Sequence, residues 1–108
     1  MNPELKAKWV DALRSGKYKQ GRIYLNSQGH KFCCLGVLCD ISKMGQWVPE
    51  HDGNSRYVVR GNASGPRAAL PYQIEDEYGD VRQGVLIDMN DDKRKSFAEI
   101  ADYIEQNL

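Results

Sequence analysis

The chain has 108 residues, 41% of them apolar and 28% charged, with fifteen cationic and fifteen acidic side chains. That size suits a single domain over 1–108 built on one core. No apolar run approaches the roughly 18 residues of a membrane span, and the N-terminus lacks the apolar segment of a secretory signal. A cytoplasm is therefore the expected compartment, with no membrane partner. The zero net charge hides an asymmetry. Residues 1–50 hold eight Lys and Arg against four Asp and Glu, and residues 51–108 hold seven against eleven. Opposite charges on two surfaces suit attraction of the halves within one fold, or pairing between copies, so a homo-oligomer stays open. A nucleic-acid partner is not expected, because zero net charge gives no broad phosphate-binding face.

Taken in order, Asn2-Pro3-Glu4 is a helix start: a capping side chain, proline at the first helical position and an acid in the first turn. Leu5, Trp9, Ala12 and Leu13 form its apolar stripe, and Gly16 ends it. Arg14, Lys17, Lys19 and Arg22 then place four cations within nine residues, with Tyr18 between them and glycines on both sides. Such a segment suits a phosphate, although a solvated connector has the same composition. Gly16, Gly21 and Gly29 form neither a dinucleotide fingerprint nor a P-loop.

Residues 22–25 and 30–32 read as two strands joined by Asn26-Ser27-Gln28-Gly29. The most apolar run follows, Phe32-Cys33-Cys34-Leu35-Gly36-Val37-Leu38-Cys39-Asp40-Ile41. Cys34, Val37, Leu38 and Ile41 share one face at helical spacing, and Leu35 and Cys39 widen it, so the spacing predicts a nearly enclosed helix ending at Lys43-Met44-Gly45. Residues 45–70 read as an irregular, loop-rich insertion with one strand at 56–60, made cationic by Arg56, Arg60 and Arg67; a stretch of this kind is usually disordered or a binding loop. Pro71 starts a short helix to Tyr78, capped by Gly79. Val85-Leu86-Ile87 reads as a strand. Ser96 and Glu99 form a capping box for a last helix carrying Phe97, Ile100, Ala101, Ile104 and Leu108 on one face. The expected fold class is α+β: a small antiparallel sheet from residues 22–32, 56–60 and 84–88, packed against the buried central helix and the two terminal helices.

Three site chemistries have partial matches in the sequence. Cys34, at the start of a buried helix, has the placement of a nucleophile, but only His30 and His51 exist to serve as base, so structural thiols in a reducing compartment fit better. His30, Cys33, Cys34 and Cys39 lack the paired spacing of a zinc site. Asp88, Asn90, Asp92 and Glu99 match positions 1, 3, 5 and 12 of a calcium loop, yet Lys93 stands where glycine is needed. No metal and no cofactor is expected.

Three segments resemble a group of small proteins encoded by bacteriophages and prophages: Trp9 to Arg22, Phe32 to Asp40, and Ser96 to Glu105. They cover about a third of the chain in the same order. The resemblance implies a phage accessory protein that blunts host defence. The expected function is non-enzymatic sequestration of a phosphorylated, nucleotide-type signal. Arg14, Lys17, Lys19 and Arg22 would contact phosphate, Trp47 or Tyr57 would stack on a base, and Arg56 and Arg60 would add charge. The alternatives are an inhibitor that binds a host defence protein through residues 45–70, and a cysteine hydrolase using Cys34.

Overall fold

The terminal helices form where local capping chemistry puts them. In a computed structural model describing residues 1–65 and 69–108, α1 spans Pro3–Arg14, and the Asn2 side chain accepts from the Glu4 and Leu5 amides at 2.9 and 3.3 Å. Arg67, part of the expected loop, lies outside the described residues. At the other end α5 spans Phe97–Asn107, and both halves of the Ser96–Glu99 capping box are made, at 3.1 and 3.2 Å. Between them α2 spans Cys34–Ser42 and ends on Lys43 in the left-handed region, φ +55°. Every residue from Cys33 to Cys39 is buried. The Trp9 indole donates to the Cys34 carbonyl at 3.0 Å, fixing α1 across α2.

The fold is α+β, with a small mixed sheet. Its strands are β1 (Lys19–Gln20), β2 (Asn26–Ser27), β3 (Lys31–Phe32), β4 (Gln46–Pro49), β5 (Asn54–Val59) and β6 (Asn62–Ala63). They run in the order β1-β3-β2-β5-β4, with β6 also on β5. The β1–β3 pair is parallel and the rest are antiparallel, so the expectation of an antiparallel sheet is corrected at one edge. Two further corrections concern the insertion and the first hairpin. Residues 45–63 are not irregular: β4, β5 and β6 make a meander, so Trp47 sits in a strand. The strand expected at 22–25 is a series of bends, with Ile23 at φ +76°. The ladder instead uses Asn26 and Ser27, which the sequence pattern places in the turn. The real turn is Gln28-Gly29, both at positive φ (+56° and +78°), with the His30 amide bonded to the Ser27 carbonyl at 3.2 Å. Positive φ at both central positions matches the twist of a tight hairpin.

Val85-Leu86-Ile87 is also corrected. After α3 (Tyr72–Tyr78), these residues form α4 (Gln83–Ile87), which runs into a single π turn at Asp88–Asp92. Leu86 is fully buried while Val85 is 44% exposed. One turn of helix buries that short apolar run on one side, and three residues hold too little periodicity to separate the two conformations. The π turn aims Asn90 inward. Its side chain is fully buried, accepts from Gln20 Nε2 at 3.0 Å and the Cys34 amide at 3.3 Å, and donates to the Gly21 carbonyl at 3.0 Å.

Packing is tightest where α2 crosses the entry to β2. A Cβ on Gly36 would lie 1.9 Å from the Leu25 carbonyl oxygen, and backbone cannot give way as a flexible side-chain end can. Gly36→Ala is expected to destabilise the protein by about 3 kcal/mol or more, read as a lower urea midpoint. Gly84→Ala is the contrast: the Cβ meets nothing within 4 Å in α4, and a stability gain of up to about 1 kcal/mol is expected.

Candidate functional site

Alternation along the strands divides their side chains between two faces. Gln20, Asn26, Phe32, Trp47, Ser55 and Tyr57 share the face toward α2. On it, Tyr18, Phe32, Trp47 and Tyr57 form a chain of edge-on aromatic contacts, with centroids 5.2, 5.8 and 4.9 Å apart. Asp40 on α2 closes this layer, accepting from Tyr18 Oη at 2.6 Å and Trp47 Nε1 at 2.9 Å. Burial, and then the bond to Asp40, raise the Tyr18 phenol well above its ordinary pKa. Tyr57 is 2% exposed, and its hydroxyl accepts from the Gly45 amide at 2.7 Å. The two rings proposed for base stacking are thus packed into the support of the sheet, Tyr57 completely.

The opposite face is polar. Register sets Lys19 of β1 directly beside Lys31 of β3, Lys31 beside Ser27 of β2, and Ser27 beside Asn54 of β5. Like charges directly opposite each other destabilise a sheet unless something neutralises them. Neither lysine forms an ion pair among the described residues. Arg56, two residues beyond Asn54 on the same face, lies across β5. Its Nε meets Glu50 Oε1 at 2.6 Å on one side and its Nη1 donates to the Ser64 carbonyl at 3.4 Å on the other. Beside it lies a cleft of about 340 Å³ lined by Tyr24, the Glu50–Asp52 turn, Asn54, Ser55, Arg56 and Gly65.

The remaining predicted contacts do not converge on this face. Arg14 bonds Asp102 at 2.7 Å and Glu105 at 3.1 Å, tying α1 to α5; the guanidinium holds the Glu105 carboxyl below its usual range. Lys17 borders a hollow with Lys8, Asp11 and Tyr18. Arg22 is half-buried, and its Nε is enclosed without an acceptor among the described residues. Arg60, at φ +49°, borders a separate hollow with Asp76 and Glu77. Of the eight predicted residues, Lys19 and Arg56 share the outer face. Lys31 was missed. It had been read only as hairpin backbone, and the signal that would have found it is its alternation with the inward Phe32.

A family model described as a domain of unknown function (DUF8296) matches residues 1–83. The chain belongs to this family. No curated protein and no solved structure matches it. The DUF8296 match takes in all six strands and α2, hence the whole polar face and the cleft.

The thiols lie elsewhere. Cys33, Cys34 and Cys39 are free and at most 2% exposed, and Cys34 Sγ faces the Leu86 carbonyl at 3.8 Å. Both imidazoles, His30 and His51, stand on exposed turns. Cys34 therefore has neither solvent access nor a base, and the hydrolase reading loses its nucleophile. Three of the four calcium-like positions are likewise engaged in structure: Asn90 is the buried hub, Asp88 Oδ2 meets Lys93 Nζ at 3.4 Å, and Glu99 closes the Ser96 capping box. Among the described residues no group of three or more His, Cys, Asp or Glu is placed to hold a metal ion. No helix described is long and apolar enough to cross a membrane.

Burial pushes the Cys33 thiol up to about 12, and Cys34 and Cys39 are raised in the same direction by desolvation. Iodoacetamide is expected to label none of the three at neutral pH without denaturant, while an exposed thiol would react readily. The raised values also carry a pH dependence. The folded state holds these protons more tightly than the unfolded chain, whose thiols ionise near about 8.5. Stability is therefore full below that pH and falls as pH rises toward 12. Denaturant midpoints measured from pH 7 to 10.5 check this; a flat profile would contradict it.

Proposed function

We propose that this DUF8296 protein is a non-enzymatic binding module that captures a phosphorylated, nucleotide-type small molecule on the outer face of its sheet. The observation that carries the reading is the Lys19–Lys31 pair. Two ammonium groups in register on adjacent strands repel each other, and a bound phosphate would turn that repulsion into charge-assisted hydrogen bonds. Ser27 and Asn54 continue the row with neutral polar groups that suit phosphate or sugar oxygens. The row replaces the Arg14, Lys17 and Arg22 set as the proposed anion contact. The resemblance of three segments to phage and prophage proteins supports a role in the cytoplasm of a bacterial host, where removing a signal nucleotide would blunt a defence response.

A second reading, inhibition of a host protein, is favoured by one feature. β4 closes the sheet with its outer edge unpaired among the described residues and Val48 43% exposed on it, and such edges accept a further strand from a partner. Pro49, at the end of this strand, limits that pairing.

Calorimetry with AMP, ADP, ADP-ribose and 3′,5′-cyclic AMP tests the first reading. Heat is expected from at least one, with affinity lowered about tenfold to a hundredfold by Lys31→Glu and the melting temperature unchanged or raised by relief of the lysine repulsion. No heat with any of the four removes the nucleotide reading. Co-purification of a bacterial protein that is lost on Val48→Asp would then support the second.

A further inference from the structure

The outer face is not uniformly cationic, and its polarity restricts what can lie on it. At the β1–β3 end stand two lysines. At the β5 end the cleft carries Glu50 and Asp52 beside Arg56. Arg56 and Glu50 neutralise each other, which leaves Asp52 as the carboxylate of the turn without an ion pair among the described residues. Asp52 Oδ1 accepts from the Asn54 amide at 3.0 Å, which fixes the carboxylate at the lip of the turn. That bond, from the first amide of β5, also holds its carboxyl below the usual range, so it stays ionised at neutral pH. Ionised carboxylates only accept hydrogen bonds. A phosphate brought there would meet like charge, whereas hydroxyl groups would find acceptors. The two ends are separated by the two strand steps from Lys31 to Asn54, about 10 Å, a span suited to a sugar joined to one or two phosphates. A volume of about 340 Å³ accommodates a sugar-sized group, and Tyr24 is part of its lining.

We infer that the ligand lies across the sheet in one direction, with its phosphate over Lys19 and Lys31 and an unphosphorylated ribose-type diol in the cleft against Glu50 and Asp52. The inference rests on the anion reading of the lysine pair and adds a specificity: ligands phosphorylated at both ends are rejected by the carboxylates.

Calorimetry with three probes tests this: ADP, 2′-deoxy-ADP, and adenosine 3′,5′-bisphosphate, which carries phosphate where the diol would be. ADP is expected to bind about tenfold or more tightly than the bisphosphate, with 2′-deoxy-ADP weakened by loss of one hydroxyl. Asp52→Asn keeps an acceptor for the Asn54 amide and removes the charge. In that variant and in Glu50→Gln, the preference for ADP over the bisphosphate is expected to shrink. If the probes bind equally, or the preference survives both variants, the inference fails, while loss of ADP binding in Lys31→Glu would show that the anion reading still stands. If none of the three binds, the inference falls, and the anion reading falls with it only if AMP, ADP-ribose and 3′,5′-cyclic AMP also give no heat.

Discussion

One buried amide sets the position of the surface on which the proposed chemistry depends. Asn90 reaches the Gly21 carbonyl, the Cys34 amide and the Gln20 side chain at once, joining the π turn to the start of α2 and to the end of β1. The Gly21 amide in turn bonds the Phe32 carbonyl at 2.8 Å, which completes the β1–β3 pairing. Enclosing four amide functions without satisfying them would cost about 1–3 kcal/mol each, so the segments cannot slide independently. The parallel edge strand, and with it the alignment of Lys19 and Lys31, follows from this hub. The second constraint is the absence of a side chain at Gly36, which lets α2 approach the Leu25 carbonyl and fixes the depth of β2 under the same face.

The sheet has a division of labour that its composition conceals. The inner face puts its polar groups to structural use: Asp40 takes the Tyr18 and Trp47 donors, and Tyr57 serves the Gly45 amide. Gly45 itself approaches the Val58 carbonyl so closely that a Cβ would lie 2.1 Å away, so the turn into β4 is pressed onto β5. A layer held from beneath in this way leaves the outer side chains without packing duties. That is the arrangement a binding surface needs, since groups freed from structural roles can be positioned by the backbone beneath them. The exposed ion pairs of Arg14 do the reverse. They join helices at the far side and contribute modestly in solvent.

How much of this was legible in the sequence depends on the distance over which each feature is decided. The caps at Asn2 and Ser96 and the stripe of α2 are decided within a few residues, and α1, α2 and α5 stand where the sequence predicts. The bends at 22–25 are decided by bonds to Asn90 and Asp91, some seventy positions away, and β-branched Ile23 adopts positive φ against its own propensity. Arg22-Ile23-Tyr24-Leu25 looks like a strand by every local rule, and tertiary contacts override it. Lys31 was overlooked for a related reason: a charge on a two-residue strand means nothing until the neighbouring strand is known, and β1 looked like a connector.

The cysteines show how residue type can mislead where geometry is missing. Three thiols around a helix start suggest a nucleophile or a metal, and both chemistries require the thiolate. Here the segment is enclosed on all sides: Trp9 donates to the Cys34 carbonyl, and the Leu86 carbonyl faces the Cys34 sulfur. Desolvation then favours the neutral thiol, so the burial that makes cysteine a good small filler for a crowded helix removes its reactivity. A ligand approaching the protein meets no sulfur. It meets the side chains that alternate away from α2, and among those the uncompensated charge is the lysine pair. On the proposed reading, recognition would follow from the register of short strands, with the apolar helix beneath them holding that register.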